Sequence, residues 1–383
     1  MWIAVSWTTL FFAGCDSKEG MEEPKIQPPF SRDVFLEWRA PRRGKAGPEE
    51  LTNPVWVWLI ESETSSYALN EAMDGPSSFG FQPCWSAERF GQSRSELPDG
   101  RVLEIAGEHE DYYDPDFFIY NDVFIHHPDG RIEIFGYGED VFPPTDFHSA
   151  TLVGEEVWLI GNLSYEAVRR PGETQVLVLS TETLEIRAET TTGENPGWIY
   201  RHEATLGEDG RSILVSGGIV DDGTDLIEKF DDWKLDLETL RWTRLTEVNW
   251  PHWILTRTDG KMNGLWEARQ LEWDRNFGES LDDELKSMLE ESSGEMDLDL
   301  LASLYQPPVD HVAIPREEDD EYNHYWVEID GVRIRYVEDS HQVSFLVQGE
   351  LPEELISALV EDLREKLSRL EQVPYEARAL TGM

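Results

Sequence analysis

Cysteine is scarce in this chain of 383 residues, with only Cys15 and Cys84. Two thiols cannot build a disulfide framework, a Cys-based zinc site or a CxxC redox pair. Cys84 reads as a small buried hydrophobe. Positive charge is scarce too. Lys and Arg number 32 against 78 Asp and Glu, a net charge of −46, and only 8 of those bases are Lys. That balance excludes a general nucleic-acid binder, because phosphate neutralisation needs a Lys/Arg surface. It equally excludes electrostatic docking to an anionic membrane. No segment approaches ~18 consecutive apolar residues, so no transmembrane helix is expected. Also missing are a Gly-rich phosphate loop, a Gly-x-Ser-x-Gly elbow and a His-Glu-x-x-His helix. No cofactor and no metal are expected. What remains is a chain with 39% hydrophobic residues and 15 Trp, too apolar for a wholly disordered protein. Its length suits about two or three domains.

Residues 1–30 stand apart. An apolar run from Trp2 to Phe12 leads into Ala13-Gly14-Cys15. Small residues before a Cys resemble the lipobox of a bacterial lipoprotein signal, which would lipidate Cys15. The polar stretch Asp16 to Pro29 would then be a tether. Against this, no Lys or Arg precedes Cys15, so the positive start of a signal peptide is missing. Met21 is the alternative start. The missing charge favours a cytoplasmic protein over one anchored through Cys15.

The middle of the chain repeats. Phe147-His148-Ser149-Ala150-Thr151-Leu152 recurs as Arg201-His202-Glu203-Ala204-Thr205-Leu206, and Arg89-Phe90-Gly91-Gln92-Ser93 is an earlier, looser copy. A turn follows each copy, at Asp99-Gly100, Gly154-Glu155 and Asp209-Gly210. Apolar strands ending in Gly come next: Val102 to Gly107, Val157 to Gly161 and Ile213 to Gly217. A second strand pair closes each unit, as in Asp232-Trp233-Lys234-Leu235-Asp236 and Arg241-Trp242. Four short strands per unit at a period near 50 predict antiparallel propeller blades.

These residues resemble the kelch motif. The likeness rests on Arg89-Phe90-Gly91-Gln92-Ser93, Ser216-Gly217-Gly218 and Asp236-Leu237-Glu238-Thr239-Leu240-Arg241-Trp242. The first two copies lack the second Gly, with Glu108 and Asn162 standing there, and carry Ile134 and Ile186 at the last aromatic position. The resemblance spans about residues 85–250 and extends to uncharacterised bacterial kelch-like proteins, which imply no activity. It implies a mainly β fold, a β-propeller or partial propeller. Three copies are fewer than the four to eight blades of a closed ring. Gly264 to Trp273 and Val34-Phe35-Leu36 are candidate extra strands; otherwise the flanks must cover an open arc.

The flanks divide as follows. Residues 31–84 form an N-terminal helical segment, with one helix from Asn53-Pro54 to Met73 that packs Trp56, Trp58, Leu59 and Tyr67 on the blades. Residues 85–255 hold the repeats. Residues 256–308 are an acidic linker with short helices at Leu285/Met288/Leu289 and Leu298/Leu300/Leu301/Leu304. Residues 309–383 are a small α+β domain. There Asp330-Gly331 predicts a type I′ hairpin, Val343 to Val347 a third strand, Tyr375 to Leu380 a returning strand, and Leu355, Ile356, Leu359, Val360, Leu363, Leu367 and Leu370 one helix face.

Candidate chemistry centres on Glu108-His109-Glu110-Asp111-Tyr112-Tyr113-Asp114-Pro115-Asp116, a dense polar loop where propellers place binding residues. Glu108, His109, Asp111, Tyr112, Asp114 and Asp116 are its candidate binding residues. Asp111, Asp114 and Asp116 could hold a hard cation, although their spacing is not that of an EF-hand. A solvated acidic loop is the commoner outcome in so acidic a chain. His148 and His202 occupy equivalent places in two repeats, which favours a structural role over catalysis. No catalytic residue is assigned. The expected function is a non-catalytic binding or scaffold module for a protein or small ligand. The alternatives are a carbohydrate-active hydrolase or isomerase and an acidic immunity-type protein that sequesters a basic partner. The charge is spread, with net −21 over residues 90–245 and −20 over 246–383, so acidity is a whole-surface property. The exception is Arg39, Arg42, Arg43 and Lys45, a basic cluster expected to dock internally.

Overall fold

The computed structural model describes residues 26–77, 83–110, 114–277, 286, 289, 296–315 and 323–380. Cys15, Met21, Asp111, Tyr112, Leu285 and Met288 lie outside the described residues. The fold is mainly β, in several antiparallel sheets. Contacts divide it into two units that meet in sequence at Val248 and Asn249.

The first unit opens with helices. In α1 (Arg32–Trp38) the Ser31 hydroxyl accepts from Val34 N, and Phe35 is buried. This segment was expected to supply a strand; a serine cap and a one-sided apolar face make it helical instead. A two-residue strand follows, β1 (Glu49–Glu50). The single helix expected from Asn53 to Met73 is two, α2 (Pro54–Ser62) and α3 (Ser66–Ala72). Asn53 caps the first through Val55 N and Trp56 N. Glu63 then turns left-handed at φ 51°, and the Ser65 hydroxyl caps the second at Ala68 N. The polar run Ser62 to Ser66 competes for backbone hydrogen bonds and favours a stop and restart.

Three four-stranded meanders follow. The first comprises β2 (Ser93–Glu96) and β3 (Val102–Ile105), then, after the hairpin β4 (Glu108–His109) and β5 (Phe118–Ile119), β6 (Asp122–His126) and β7 (Ile132–Gly136). With β1 added its order is β1-β7-β6-β3-β2. The second is β8 (Ser149–Val153), β9 (Glu156–Ile160), β10 (Val176–Ser180) and β11 (Ile186–Ala188). The third begins after β12 (Trp198–Tyr200) with β13 (Glu203–Leu206) and β14 (Ser212–Ser216). An inserted pair, β15 (Ile219–Asp221) and β16 (Leu226–Glu228), joins β12 in a small sheet. The third meander ends with β17 (Asp232–Asp236) and β18 (Arg241–Arg244).

Alternation along the strands sorts side chains into layers. Phe124 and Ile134 of the first sheet pack under Trp56, Leu59 and Leu69 of the helices. Leu103, Ile105, Val123 and Ile125, on its other face, meet Val157, Leu159, Leu177 and Leu179 of the second sheet. Trp158, Ile160, Val176 and Val178 then meet Ile213, Val215, Trp233 and Leu235 of the third. The outward face of the third sheet breaks the series. Ser216, Asp232 and Lys234 stand where the first two sheets carry Ile105/Ile160, Val123/Val176 and Ile125/Val178. Leu214 on that face is 39% exposed. Helices thus cover one end of the stack, and polar side chains finish the other.

The second unit is a six-stranded antiparallel sheet. Its members are β19 (His252–Arg257), β20 (Val312–Ile314), β21 (His324–Ile329), β22 (Val332–Glu338), β23 (Gln342–Gln348) and β24 (Tyr375–Ala379), in the order β20-β21-β22-β23-β19-β24. The helices are α4 (Leu265–Phe277), α5 (Leu298–Ala302) and α6 (Glu353–Leu370). The Asp330-Gly331 hairpin is present, with both residues at positive φ, 52° and 79°, as a type I′ turn needs. The apolar face of α6 covers Val327, Ile334, Phe345 and Val347. Two elements belong here that the sequence divides differently. Strand β19 pairs with β23 and β24, so its partners are C-terminal. The stretch from Gly264 to Trp273, expected as a strand, lies mostly in α4, and Leu265 and Ala268 enter the core.

Candidate functional site

The described part of the 108–116 loop leans on helix α3. Glu108 and Phe90 exchange backbone hydrogen bonds, and β4 pairs with β5, fixing the loop's entry and exit. His109 Nε2 lies 3.4 Å from Ser66 Oγ and 3.5 Å from Glu110 Oε1. The Tyr67 ring sits 5.6 Å from the imidazole. Burial lowers the His109 pKa to about 4, against the pull of Asp116, so the ring is neutral at pH 7. Asp116 is 7% exposed. Partial burial, then Glu110 and Asp116 as hydrogen-bond partners, raise the Tyr67 hydroxyl well above its ordinary value. Asp114 accepts from Phe117 N through its backbone oxygen. His109 and Asp116 are therefore buried anchors; a freely solvated loop does not describe them. Tyr67, expected to pack on the sheets, is half exposed and reaches this loop instead. Among the described residues no three metal-ligating side chains converge.

Glu108 turns away from His109 towards Asp146. Gly107 N donates to Thr145 O at 2.9 Å, which sets the two segments side by side. Asp146 is fully buried; its Oδ1 accepts from Ser164 N at 2.6 Å, and no donor reaches its Oδ2. Its carboxyl contacts that of Glu108, and burial raises its pKa. Two apposed carboxyls in a dry site favour one retained proton. Asn162 accepts from Asp146 N, while Arg169 binds Ser164 O and Asp221. The sequence marks neither Asp146 nor Arg169, because a lone Asp or Arg in a loop has no spacing signature.

The two repeated histidines sit in a different place. They join the sheets. His148 Nε2 is 2.7 Å from Ser93 Oγ, and His202 Nε2 is 2.9 Å from Ser149 Oγ. The backbone repeats the pattern. Phe147 N donates to Gly91 O and Arg201 N to Phe147 O, each at 2.9 Å. Gly107 N donates to Thr145 O and Asn162 N to Ile199 O. Gly91, Phe147 and Arg201 share positive φ, 60°, 47° and 53°. Each junction therefore comprises two backbone bonds and one Ser–His contact. Gly161 makes room for it: a Cβ there would lie 2.3 Å from Ile199 O and 2.6 Å from the His202 ring. Register also moves the Gly pair. Ala106-Gly107 aligns with Gly217-Gly218, so the first repeat lacks the first Gly and the second lacks the other, at Asn162. Burial lowers His148 to about 3 and His202 to about 4.

Two further residues explain the first repeat. Arg89 is fully buried and grips Asp122 with both guanidinium nitrogens, while Trp85 Nε1 donates to the same carboxylate at 2.9 Å. Its guanidinium lies 3.5 Å from the Tyr120 ring centre. Desolvation of such a pair is offset only by this completeness of partners. The basic cluster docks in part: Arg43 binds Asn121, Ile119 O and Glu139. Arg39 is buried beside Cys84, whose thiol burial raises to about 11.

No family model matches the chain, and no curated protein matches it. Among solved structures it is similar to the structure of YjhT, with 15% identity and a TM-score of 0.31. That match covers 44% of this chain and 58% of YjhT, so the chain spans little over half of that protein's length. Among the described residues no helix is long and apolar enough to cross a membrane.

Proposed function

We propose that this protein is a non-catalytic binding module built on three kelch-like blades, with the 108–116 loop as its contact surface. The observation that supports the reading is the use made of the histidines. His148 and His202 join sheets, and His109 is a buried neutral anchor, so the residues best suited to acid–base work are committed to structure. The loop between two fixed strands is then the variable element on a rigid support. Affinity capture compared by quantitative mass spectrometry tests this. The variant with Asp111→Asn, Asp114→Asn and Asp116→Asn should lose the partner that the parent retains. Equal capture by both removes the loop from the reading.

One observation favours a second reading, a carbohydrate-active hydrolase or isomerase. Burial raises the Asp146 pKa beside the Glu108 carboxyl, and two apposed carboxyls that share a proton are equipment for moving a proton on a sugar. A glycoside and sugar-isomer panel decides it: turnover abolished by Asp146→Asn would establish the enzyme. The protein is taken as cytoplasmic, and intact mass of the cell-made chain should show no acyl group on Cys15.

A further inference from the structure

Arg89, Arg169 and Arg269 show how this chain treats a sheltered guanidinium. Each holds a carboxylate: Asp122, Asp221 at 3.1 Å and Glu338 at 2.9 Å. Arg39 departs from this. It is 5% exposed, and among the described residues no carboxylate lies within ion-pair distance of it. Its Nε is sealed from water and meets no acceptor. The backbone around it is fixed, because Arg39 N donates to Phe35 O at 2.8 Å and Arg39 O accepts from Trp85 N at 2.7 Å. That pairing sets Arg39 beside Cys84, which belongs to the core that α1 and α2 share.

A guanidinium keeps its proton at any ordinary pH, so a buried one needs negative charge beside it. Cys84 does not supply that charge. Burial raises its thiol to about 11, which leaves it neutral at pH 7. Phe35 offers only its ring, 6.0 Å from the guanidinium. The neighbouring groups add to the demand. Arg42 lies over the Trp38 ring at 4.3 Å and donates to Glu37 O, a neutral carbonyl. Trp56 Nε1, in the same core, is another buried donor without an acceptor, and its ring stacks on Trp85 at 5.0 Å. Unmatched donors thus gather at this helical core, in a chain otherwise dominated by carboxylates.

We infer that Arg39 holds a small monovalent anion of the class of chloride and bromide, with the Cys84 S–H as a second, weak donor. Charge and size follow from the surroundings. One guanidinium balances one negative charge, and a divalent anion would restore the imbalance with the opposite sign. Apolar neighbours such as Phe35 and Trp85 favour an ion that gives up water readily, as a guanidinium itself does. The bound ion would tie the end of α1 to the segment 83–85. Because it binds the folded chain, it would stabilise that chain by mass action. Neither reading of the 108–116 loop bears on it.

Thermal unfolding of the full chain in matched sodium salts tests it. At about 0.1 M each, bromide and fluoride screen exposed charges alike. Fluoride holds its water more tightly and should bind less. General salt effects act the other way, since strongly hydrated salts are the ones that favour burial. The parent should unfold about 2 °C or more higher in bromide. Arg39→Met, which keeps an apolar stem and removes the charge, should abolish or reverse that difference. Chloride NMR gives a reading on the parent alone, should the variant fail to fold: the parent should broaden the chloride line, and bromide should compete the broadening away. An equal or lower unfolding temperature in bromide overturns the inference. So do a bromide advantage that survives Arg39→Met and a chloride line that the parent leaves sharp. A parent isolated with a sulfinate on Cys84 would overturn it too, because the negative charge would then be covalent.

Discussion

His148 and His202 carry the most consequence per residue. Both are buried and neutral, with pKa values near 3 and 4 against about 6.5 when unfolded. A depressed histidine stabilises the fold fully above the unfolded value, and that stability is lost as pH falls towards the folded one. Between pH 6.5 and 5, before most carboxylates titrate, unfolding free energy should therefore drop. Urea denaturation across this window should show the drop in the parent and a shallower one in the His148→Gln/His202→Gln variant. His109, lowered to about 4, supplies the remaining slope. The structural role of the pair was legible in the sequence, because the two occur at equivalent places 54 residues apart. The partners were not legible: Ser93 and Ser149 are ordinary serines until the sheets are stacked. Asp146 was hidden for the same reason, since only packing brings it against Glu108.

At the scale of elements, the junction depends on what a side chain would displace. A Cβ at Gly161 would strike Ile199 O and the His202 ring, and the residue holds φ 76°. Gly161→Ala should cost about 1–2 kcal/mol for the left-handed backbone alone, and more from the clash. Thermal unfolding will measure it. Gly130→Ala, at φ 86° with open space, is the control that isolates the backbone cost. Strands were read well where turns bracket them, as at Asp99-Gly100, Asp209-Gly210 and Asp330-Gly331. They were misread where apolar content stood alone. Val34 to Leu36 and Gly264 to Trp273 lacked turn brackets; the first lies in a helix capped by Ser31, and the second lies mostly in α4, which buries Leu265 and Ala268. The end of the repeats was misplaced as well: the boundary at residue 255 cuts β19, which pairs with β23 and β24.

For the molecule as a whole, the net charge of −46 is spread over both units. Like charges on a compact body repel, and the unfolded chain relieves that repulsion by expanding. Salt screens it, with a Debye length of about 10 Å at 0.1 M. The midpoint of thermal unfolding should rise from low salt to about 0.5 M sodium chloride, and scanning calorimetry will read the shift. A midpoint that falls would mean that ion pairs such as Arg89–Asp122 and Arg269–Glu338 outweigh the general repulsion.

The polar outer face of the third sheet has one more implication. In arrays of stacked units, solubility is kept by an end unit whose outer surface is hydrophilic. Ser216, Asp232 and Lys234 give the third sheet that character, at three positions that are apolar in the two sheets before it. A change of three side chains therefore separates a terminating sheet from an internal one. Restoring Ile, Val and Val there would leave one apolar face on every molecule, and because helices cover the other end of the stack, two such faces would pair and association would stop at a dimer.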